Sequence, residues 1–398
     1  MILRLKCKIM NTGKYIFSQL LEFVNRYEFE KIVKQYNGNY RVREFDCWNQ
    51  FIQLFFGQLT NLNSLRDICL CLKAHNNKLY HLGIKNFVNH TTLSRANEKR
   101  DYQIFADFGY YLIELVRPLY ANSTVSYLSI ENELFALDST TISCSINLMM
   151  WAEGKYSRGA IKMHTLLDLR GSILVYILIT DGKYHDSNLL DEIIPVQEAI
   201  YIMDKAYVDF KALYRINTFG SYFVTRAKSS LKYTIVEQNF NIDEATGLSA
   251  DKTIELTIAK SKKLYPEKLR IIEYYDAEKD NYLVFMTNNF DVSALEVCNI
   301  YKNRWQIETF FKWIKQNLVI KKLWGHSQNA VKINIWIAIC TYLIVAYVKK
   351  SIKSDLSIYQ ILQILSISAF DKTPINQLLN DFQNNQNVNE QQYNIFDF

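Results

Sequence analysis

An α/β chain is expected, with a mixed sheet in the middle and helical regions on either side. Two observations predict it. Apolar residues recur at spacings of three and four from about Tyr15 to Val116 and again after Thr287. Between them, from about Leu134, the texture changes to short β-rich runs bounded by Gly, Asp or Ser: LFALDST, IKMHTLLDL, SILVYILITDG, AIYIMDKAY and SYFVTRA. At 398 residues, two to four structural units are expected from the usual domain size of roughly 100–200 residues.

In order, the opening MILRLKCKIMNTGKY holds a second methionine, Met10, which reads as the true start. Phe17, Leu20, Leu21, Val24 and Tyr27 then form one helical stripe, and Trp48, Phe51, Ile52, Leu54 and Phe55 another. In HTTLSRANEKRD, Thr91 or Thr92 can cap a short basic helix carrying Ser94, Arg95, Asn97, Lys99 and Arg100. Such a helix suits a DNA groove or phosphates, and equally an ordinary solvated surface. A helix between Asp186 and Val196 would bridge two strands of the sheet. Alternation at Ile254, Leu256, Ile258 and at Leu269, Ile271, around the turn-like DEATG, makes residues 232–282 a β-rich insertion. The expected domains are a helical DNA-binding region over 1–125, a catalytic domain over 130–330 and a helical region over 331–379. The Asn- and Gln-rich tail over 380–398 is expected to be disordered.

Bulk properties narrow the function classes. An apolar fraction of 49% excludes a disordered chain, and a net charge of +6 is compatible with a polyanionic partner without establishing one. The seven cysteines are scattered, no C-x-x-C occurs, and no secretory signal is recognisable, so a cytoplasmic chain with reduced thiols is expected. The six histidines do not pair with cysteines at zinc spacing. INIWIAICTYLIVAYV, from Ile333 to Val348, is almost wholly apolar. Its 16 residues fall short of the roughly 20 that span hydrocarbon, and Asn334 sits inside it, so it reads as a buried core helix.

Three carboxylates carry the chemistry. Asp138 ends the apolar run LFAL, and Asp204 ends AIYIM. Either aspartate alone reads as a turn or helix-cap residue; two at strand ends suit a shared metal site. The third element is YKNRWQIETFFKWIK, a helix without Gly or Pro. At about 100° per residue, Tyr301, Arg304, Glu308 and Lys315 fall in one stripe about 60° wide, beside a separate apolar stripe. Carboxylates from two strands and a helix can hold a pair of Mg²⁺ ions about 3.5–4 Å apart, one activating a water or 3′-hydroxyl and one stabilising the leaving oxygen. Arg304 and Lys315 supply positive charge to phosphate oxygens.

Tyr301-x2-Arg304-x3-Glu308-x6-Lys315 resembles the Tyr-Arg-Glu-Lys signature of bacterial insertion-sequence transposases, specifically the insertion-sequence-four family of DDE enzymes. LDST at Asp138 and DKAYVDF at Asp204 look like that family's two aspartate boxes, and DGKYHDSNLL is similar to a segment between them. The resemblance runs from about Phe135 to Lys332. It implies a ribonuclease-H-like core and a cut-and-paste transposase acting on the terminal inverted repeats of its own element and on target DNA. By position it implies that Asp138, Asp204 and Glu308 are catalytic metal ligands for Mg²⁺, with Mn²⁺ as substitute. Tyr301, Arg304 and Lys315 would grip the transferred end near its 5′ phosphate. Having two element ends to join calls for a homodimer at synapsis, with residues 330–379 as the candidate interface and a free monomer as the alternative away from DNA. The expected setting is the bacterial cytoplasm, with nucleoid association when bound. The alternatives are a catalytically silent DNA-binding derivative or another ribonuclease-H-like metal nuclease.

Some relatives stack an insertion tryptophan on a flipped base. No Trp lies between Trp151 and Trp305, so Tyr265, Tyr274 or Tyr275 would have to serve. Lys321 and Lys322, with His326, stand just past the signature helix and are expected to contact DNA, as is Arg95. AKSKKLYPEKLR gathers Lys260, Lys262, Lys263, Lys268 and Arg270 around Tyr265, either to track DNA backbone or as plain solvated surface. His164 and His185 read as structural.

Overall fold

In the computed structural model the chain begins with six helices: α1 (Ile16–Glu22), α2 (Arg26–Gln35), α3 (Cys47–Leu59), α4 (Leu65–Ala74), α5 (His90–Lys99) and α6 (Gln103–Tyr120). The described residues are 13–381 except 86, 124–127, 129, 146–148, 153 and 155–158; Met10 and the tail from 382 onward lie outside them. The middle holds β1 (Leu134–Cys144), β2 (Gly159–Asp168), β3 (Ile173–Asp181), α7 (Leu189–Glu192), β4 (Ile200–Met203), α8 (Phe210–Thr218) and β5 (Tyr222–Arg226). Then come β6 (Tyr233–Asn239), β7 (Leu248–Leu256), α9 (Ala259–Leu264), β8 (Leu269–Asp276) and β9 (Asn281–Thr287). Helices α10 (Ala294–Lys302), α11 (Trp305–Asn317), α12 (Gln328–Ser351) and α13 (Ile358–Ile367) follow.

The chain divides into two compact units, one of residues 1–119 with 314–398 and one of residues 120–313. The helical regions read from the sequence at either end thus share the first unit. Its centre is α3, all of whose residues are buried, because apolar and aromatic side chains occur on every face of that helix. Phe29, Phe51 and Phe108 pack ring to ring at 5.1–5.3 Å. Helix α12 is longer than its apolar stretch suggested: 24 residues, the one described helix long and apolar enough to cross a membrane. Of its apolar window 89% is buried inside the protein. Asn334 explains the placement. It is buried, donates to the Val319 carbonyl at 2.6 Å and accepts from the Trp324 amide at 3.2 Å. Gln58 of α3 donates to the same Val319 carbonyl at 3.1 Å and accepts from the Val319 amide at 2.9 Å.

The second unit is built on one nine-stranded sheet in the order β3-β2-β1-β4-β5-β9-β8-β7-β6. β1, β2 and β3 are antiparallel neighbours, whereas β4 runs parallel to β1 and β5 parallel to β4. Three antiparallel strands followed by two parallel ones make the ribonuclease-H-like core. The parallel pair β4 and β5 is joined by α8, as a parallel connection requires. The bridging helix expected between Asp186 and Val196 is only the four-residue α7, after a tight turn at Asp186–Asn188. The β-rich insertion extends the same sheet: β9 pairs with β5, and β8, β7 and β6 continue antiparallel. Its DEATG turn ends at Gly247, where a φ of +92° and the Tyr275 carbonyl oxygen, which an added β-carbon would meet at 2.5 Å, both disfavour a side chain.

Candidate active site

Asp138 and Asp204 are brought together by register. Leu137 of β1 pairs with Met203 of parallel β4, so each aspartate is the next residue. Asp204 stands just past the end of β4, whereas Asp138 lies inside β1, still paired with Thr165 of β2, and not at the strand end expected for it. The four residues of β4 are all buried, which forces the chain to leave the sheet where its first polar side chain appears. Asp204 then caps the turn that follows, accepting from the Ala206 amide at 3.1 Å. Asp138 accepts from the Ser139 amide at 2.8 Å.

The third element differs from the single helix expected. Tyr301 belongs to α10 and Glu308 to α11, and the two helices are separated at Asn303 and Arg304. Here the backbone tightens to i→i−3 bonds, from Asn303 to the Ile300 carbonyl at 3.1 Å and from Arg304 to the Tyr301 carbonyl at 3.0 Å. Asn303 is the cause. Its side-chain amide takes the Asn299 carbonyl at 2.9 Å, which a regular helix would give to the Asn303 backbone amide. α10 packs on β4 and β5, and the Tyr301 ring lies 4.9 Å from Phe285 of β9. The helix break therefore sits over the strand ends.

Arg304 occupies the centre. Its guanidinium meets Asp138 at 3.4 Å and Glu308 at 2.6 Å, so one cation joins a strand carboxylate to a helix carboxylate. The Arg304 Nε and the Tyr301 hydroxyl are buried without a hydrogen-bond partner, an unsatisfied state that a bound anion would relieve. Burial pushes the Asp138 carboxyl up to about 6; Arg304 opposes this, while Glu308 and Asp204 add to it. The Tyr301 hydroxyl is raised, chiefly by burial, and feels Arg304, Asp204 and Arg226. Among the described residues no three His, Cys, Asp or Glu side chains converge closely enough to hold a metal ion. The donor set nevertheless fits one: all three acids are oxygen ligands, suited to a hard divalent cation, and their mutual repulsion calls for a counter-charge that Arg304 supplies.

Sequence reasoning missed two neighbours. Asp186 accepts from the Ser139 hydroxyl at 2.7 Å and from Lys162 at 3.2 Å, and His164 Nδ1 lies 3.4 Å away. Ser139 thus links Asp186 to Asp138. His164 is fully buried and pushed down to about 4 by that burial, hence neutral, with Thr180 at 3.0 Å. The buried Tyr207 hydroxyl is raised by burial first, then by Asp138 and Asp186. The signal for Asp186 was present in DGKYHDSNLL; Tyr207 had none beyond its place three residues after Asp204.

The remaining predicted residues fall elsewhere. Lys315 is carried further along α11 and belongs to the first unit, where burial and Lys321 lower its ammonium pKa. Lys321 and Lys322 are exposed. Arg95 is exposed on α5, but the cap of that helix is Asn89, not Thr91 or Thr92: the Thr92 amide and both threonine hydroxyls donate to it. Asn97 and Arg100 of that segment bond Gln50 at 2.7 and 2.8 Å and are structural. Tyr265 and Tyr274 are buried at 1% and 7% exposure, so neither can stack on a base. Arg270 is buried on Asp251 at 2.8 Å and leaves the basic run.

Comparison with known proteins adds the family. Residues 129–344 match the family described as the transposase DDE domain, and residues 12–85 a domain of unknown function (DUF4372). Over 254 residues the chain is 30% identical to the y4zB protein of Sinorhizobium fredii, named as a transposase, covering 63% of this chain and 68% of that one. Over 278 residues it is 24% identical to a probable transposase for insertion sequence element IS5377 of Geobacillus stearothermophilus, covering 69% and 71%. A piggyBac transposase synaptic complex with hairpin DNA is similar in structure at a TM-score of 0.49 and 11% identity, over 93% of this chain and 82% of that one. With the DDE model matching more than half of its length, the chain belongs to the DDE transposase family and is an insertion-sequence DNA transposase, a divalent-metal-dependent enzyme of DNA cleavage and strand transfer.

Proposed function

We propose that this transposase binds the terminal inverted repeats of its element and excises it by a cut-and-paste route, with Asp138, Asp204 and Glu308 holding two Mg²⁺ ions that Mn²⁺ can replace. The observation that carries this reading is the meeting of Asp138 and Glu308 on Arg304 beside Asp204, where β4 ends against the middle of β1. Bound there, the metal pair supplies Lewis-acid charge at the scissile phosphodiester. Arg304 is the side chain that exchanges partners. With the carboxylates held by a divalent cation, its guanidinium would be free to take two oxygens of a phosphate group, one of them at the buried Nε that lacks a hydrogen-bond partner. Tyr301 offers its unpartnered hydroxyl to the same group, and Lys315 adds charge further along α11.

In the first step a water oxygen attacks phosphorus and the P–O3′ bond breaks, leaving a 3′-hydroxyl and a 5′-phosphate. In the second, that 3′-oxygen attacks a target phosphodiester and displaces the target's own 3′-oxygen. Asp186, through Ser139, holds the Asp138 carboxylate in one orientation during both. A homodimer at synapsis follows from having two ends to join, and a bacterial cytoplasmic setting from the insertion-sequence relatives. Lys321, Lys322 and Arg95 belong to DNA contacts outside the carboxylate cluster.

The test incubates the protein with a duplex bearing its element's terminal repeat and Mg²⁺ or Mn²⁺, beside Glu308→Ala, mapping products to single nucleotides. End-specific cleavage lost in the variant is the expected result. Cleavage persisting in Glu308→Ala would refute the assignment of the third ligand, and specific binding without cleavage would refute the enzymatic route.

A further inference from the structure

The basic run between Ala259 and Arg270 is split by the fold, and one part lines a cavity of about 300 Å³ in the second unit. Lys262 turns to Glu255 at 3.1 Å, and Arg270 is buried on Asp251. Lys260 instead faces the cavity, together with Lys228 and Lys232 from the segment between β5 and β6, and with Ser230 and Ser261. Lys228 donates to the Val208 carbonyl at 3.0 Å, which holds its ammonium at the wall. Lys232 and Lys260 are exposed. One carboxylate lines the cavity, Asp209, and it is engaged as the cap of α8, accepting from the Ala212 amide at 3.0 Å. The floor is apolar, with Phe210, Leu231, Ile258, Leu264 and Met286, so the three lysines and two serines rim the cleft and give it the character of an anion site.

Its place in the sheet identifies the anion. Val208 and Asp209 follow β4, and Lys228 follows β5; these strands are parallel neighbours, so both segments leave the sheet at the edge that carries Asp204. Neighbouring strands lie about 5 Å apart, comparable to the rise of one or two nucleotides. We propose that this cleft binds a backbone phosphate of the DNA a few nucleotides from the scissile one, as an anchoring site that does no chemistry. The proposal rests on the reading that the chain cleaves at terminal repeats.

The test uses the full chain and a terminal-repeat duplex, with binding followed by fluorescence anisotropy between about 50 and 200 mM salt. Replacing Lys232 and Lys260 together by Gln is expected to make the log–log salt slope shallower by about 0.9, the loss of one neutralised phosphate. Affinity should fall at least about tenfold at the lower salt, with cleavage at saturating DNA unchanged. Ethylation interference should lose its signal at phosphates within a few nucleotides of the cut. Lys263→Gln, on the same helix but outside the cleft, is the control and should behave as the wild type. An unchanged slope and interference pattern in an otherwise active double variant would overturn the cleft alone. An equal loss in Lys263→Gln would also overturn it, showing a diffuse basic surface. Failure of the wild type to bind the duplex would overturn the cleft and the proposed function together.

Discussion

Asp138 shows how a single residue proposed for the chemistry can be costly to the fold. Its carboxyl is raised to about 6 because burial disfavours the charged form more than Arg304 favours it. The folded chain therefore holds a proton at this group more tightly than the unfolded chain does, so stability is lost as pH rises from about 4 to about 6. In metal-free protein, Asp138→Asn should be more stable at pH 7 by about 2–3 kcal/mol, a gap that narrows as pH falls toward 5. Denaturant unfolding at the two pH values measures it, and the same variant should not cleave. An equal or lower stability at pH 7 would mean that the Arg304 ion pair outweighs burial. Arg304 and Arg270 illustrate the limit of one-dimensional reading. Both look like free cations in the sequence, yet one bridges two candidate ligands and the other is locked on Asp251.

At the scale of elements, the end of β4 was legible, whereas the run of β1 past Asp138 and the break in the signature helix were not. Buried β-strands announce themselves by unbroken apolar runs, so IYIM followed by Asp204 located the end of β4 and a candidate site residue without any knowledge of its neighbours. The break at Asn303 depends on which carbonyl a side-chain amide chooses, and periodicity carries no information about that. Close helix approach is equally invisible. Gly109 of α6 faces Trp336 of α12, and a β-carbon there would lie 2.6 Å from the indole. Gly109→Ala gains up to about 1 kcal/mol of helix propensity and overpacks by about 1–3 kcal/mol. A lowered midpoint in urea with an unchanged slope is expected; a raised midpoint would show that Trp336 can move aside.

For the whole molecule, the first unit is assembled from both ends of the chain. Gln58 and Asn334 both bond the backbone at Val319, and the buried faces of α3 and α12 cover one another. Residues 13–119 alone would expose the apolar surface of α3 and leave the Gln58 amide unpaired. That fragment should stay unfolded by circular dichroism and amide exchange, and residues 314–381 added in trans should restore helicity. A cooperatively folded fragment 13–119 would contradict this. The second unit, between those two ends in the chain, has its own sheet and core.

By itself the sequence determined what local physics encodes: the helical ends, the β-rich middle, the end of β4 at Asp204 and the buried character of 333–348. Each of these follows from apolar periodicity over a few residues, which burial imposes whatever the partner. Tertiary structure alone decided the register of Leu137 on Met203, the role of Arg304, the recruitment of Asp186 and Tyr207, and the division of the basic run into buried, paired and cleft-facing members. These depend on groups far apart in the chain, and the charge of a side chain says nothing of which opposite charge, or which water, it will meet after folding.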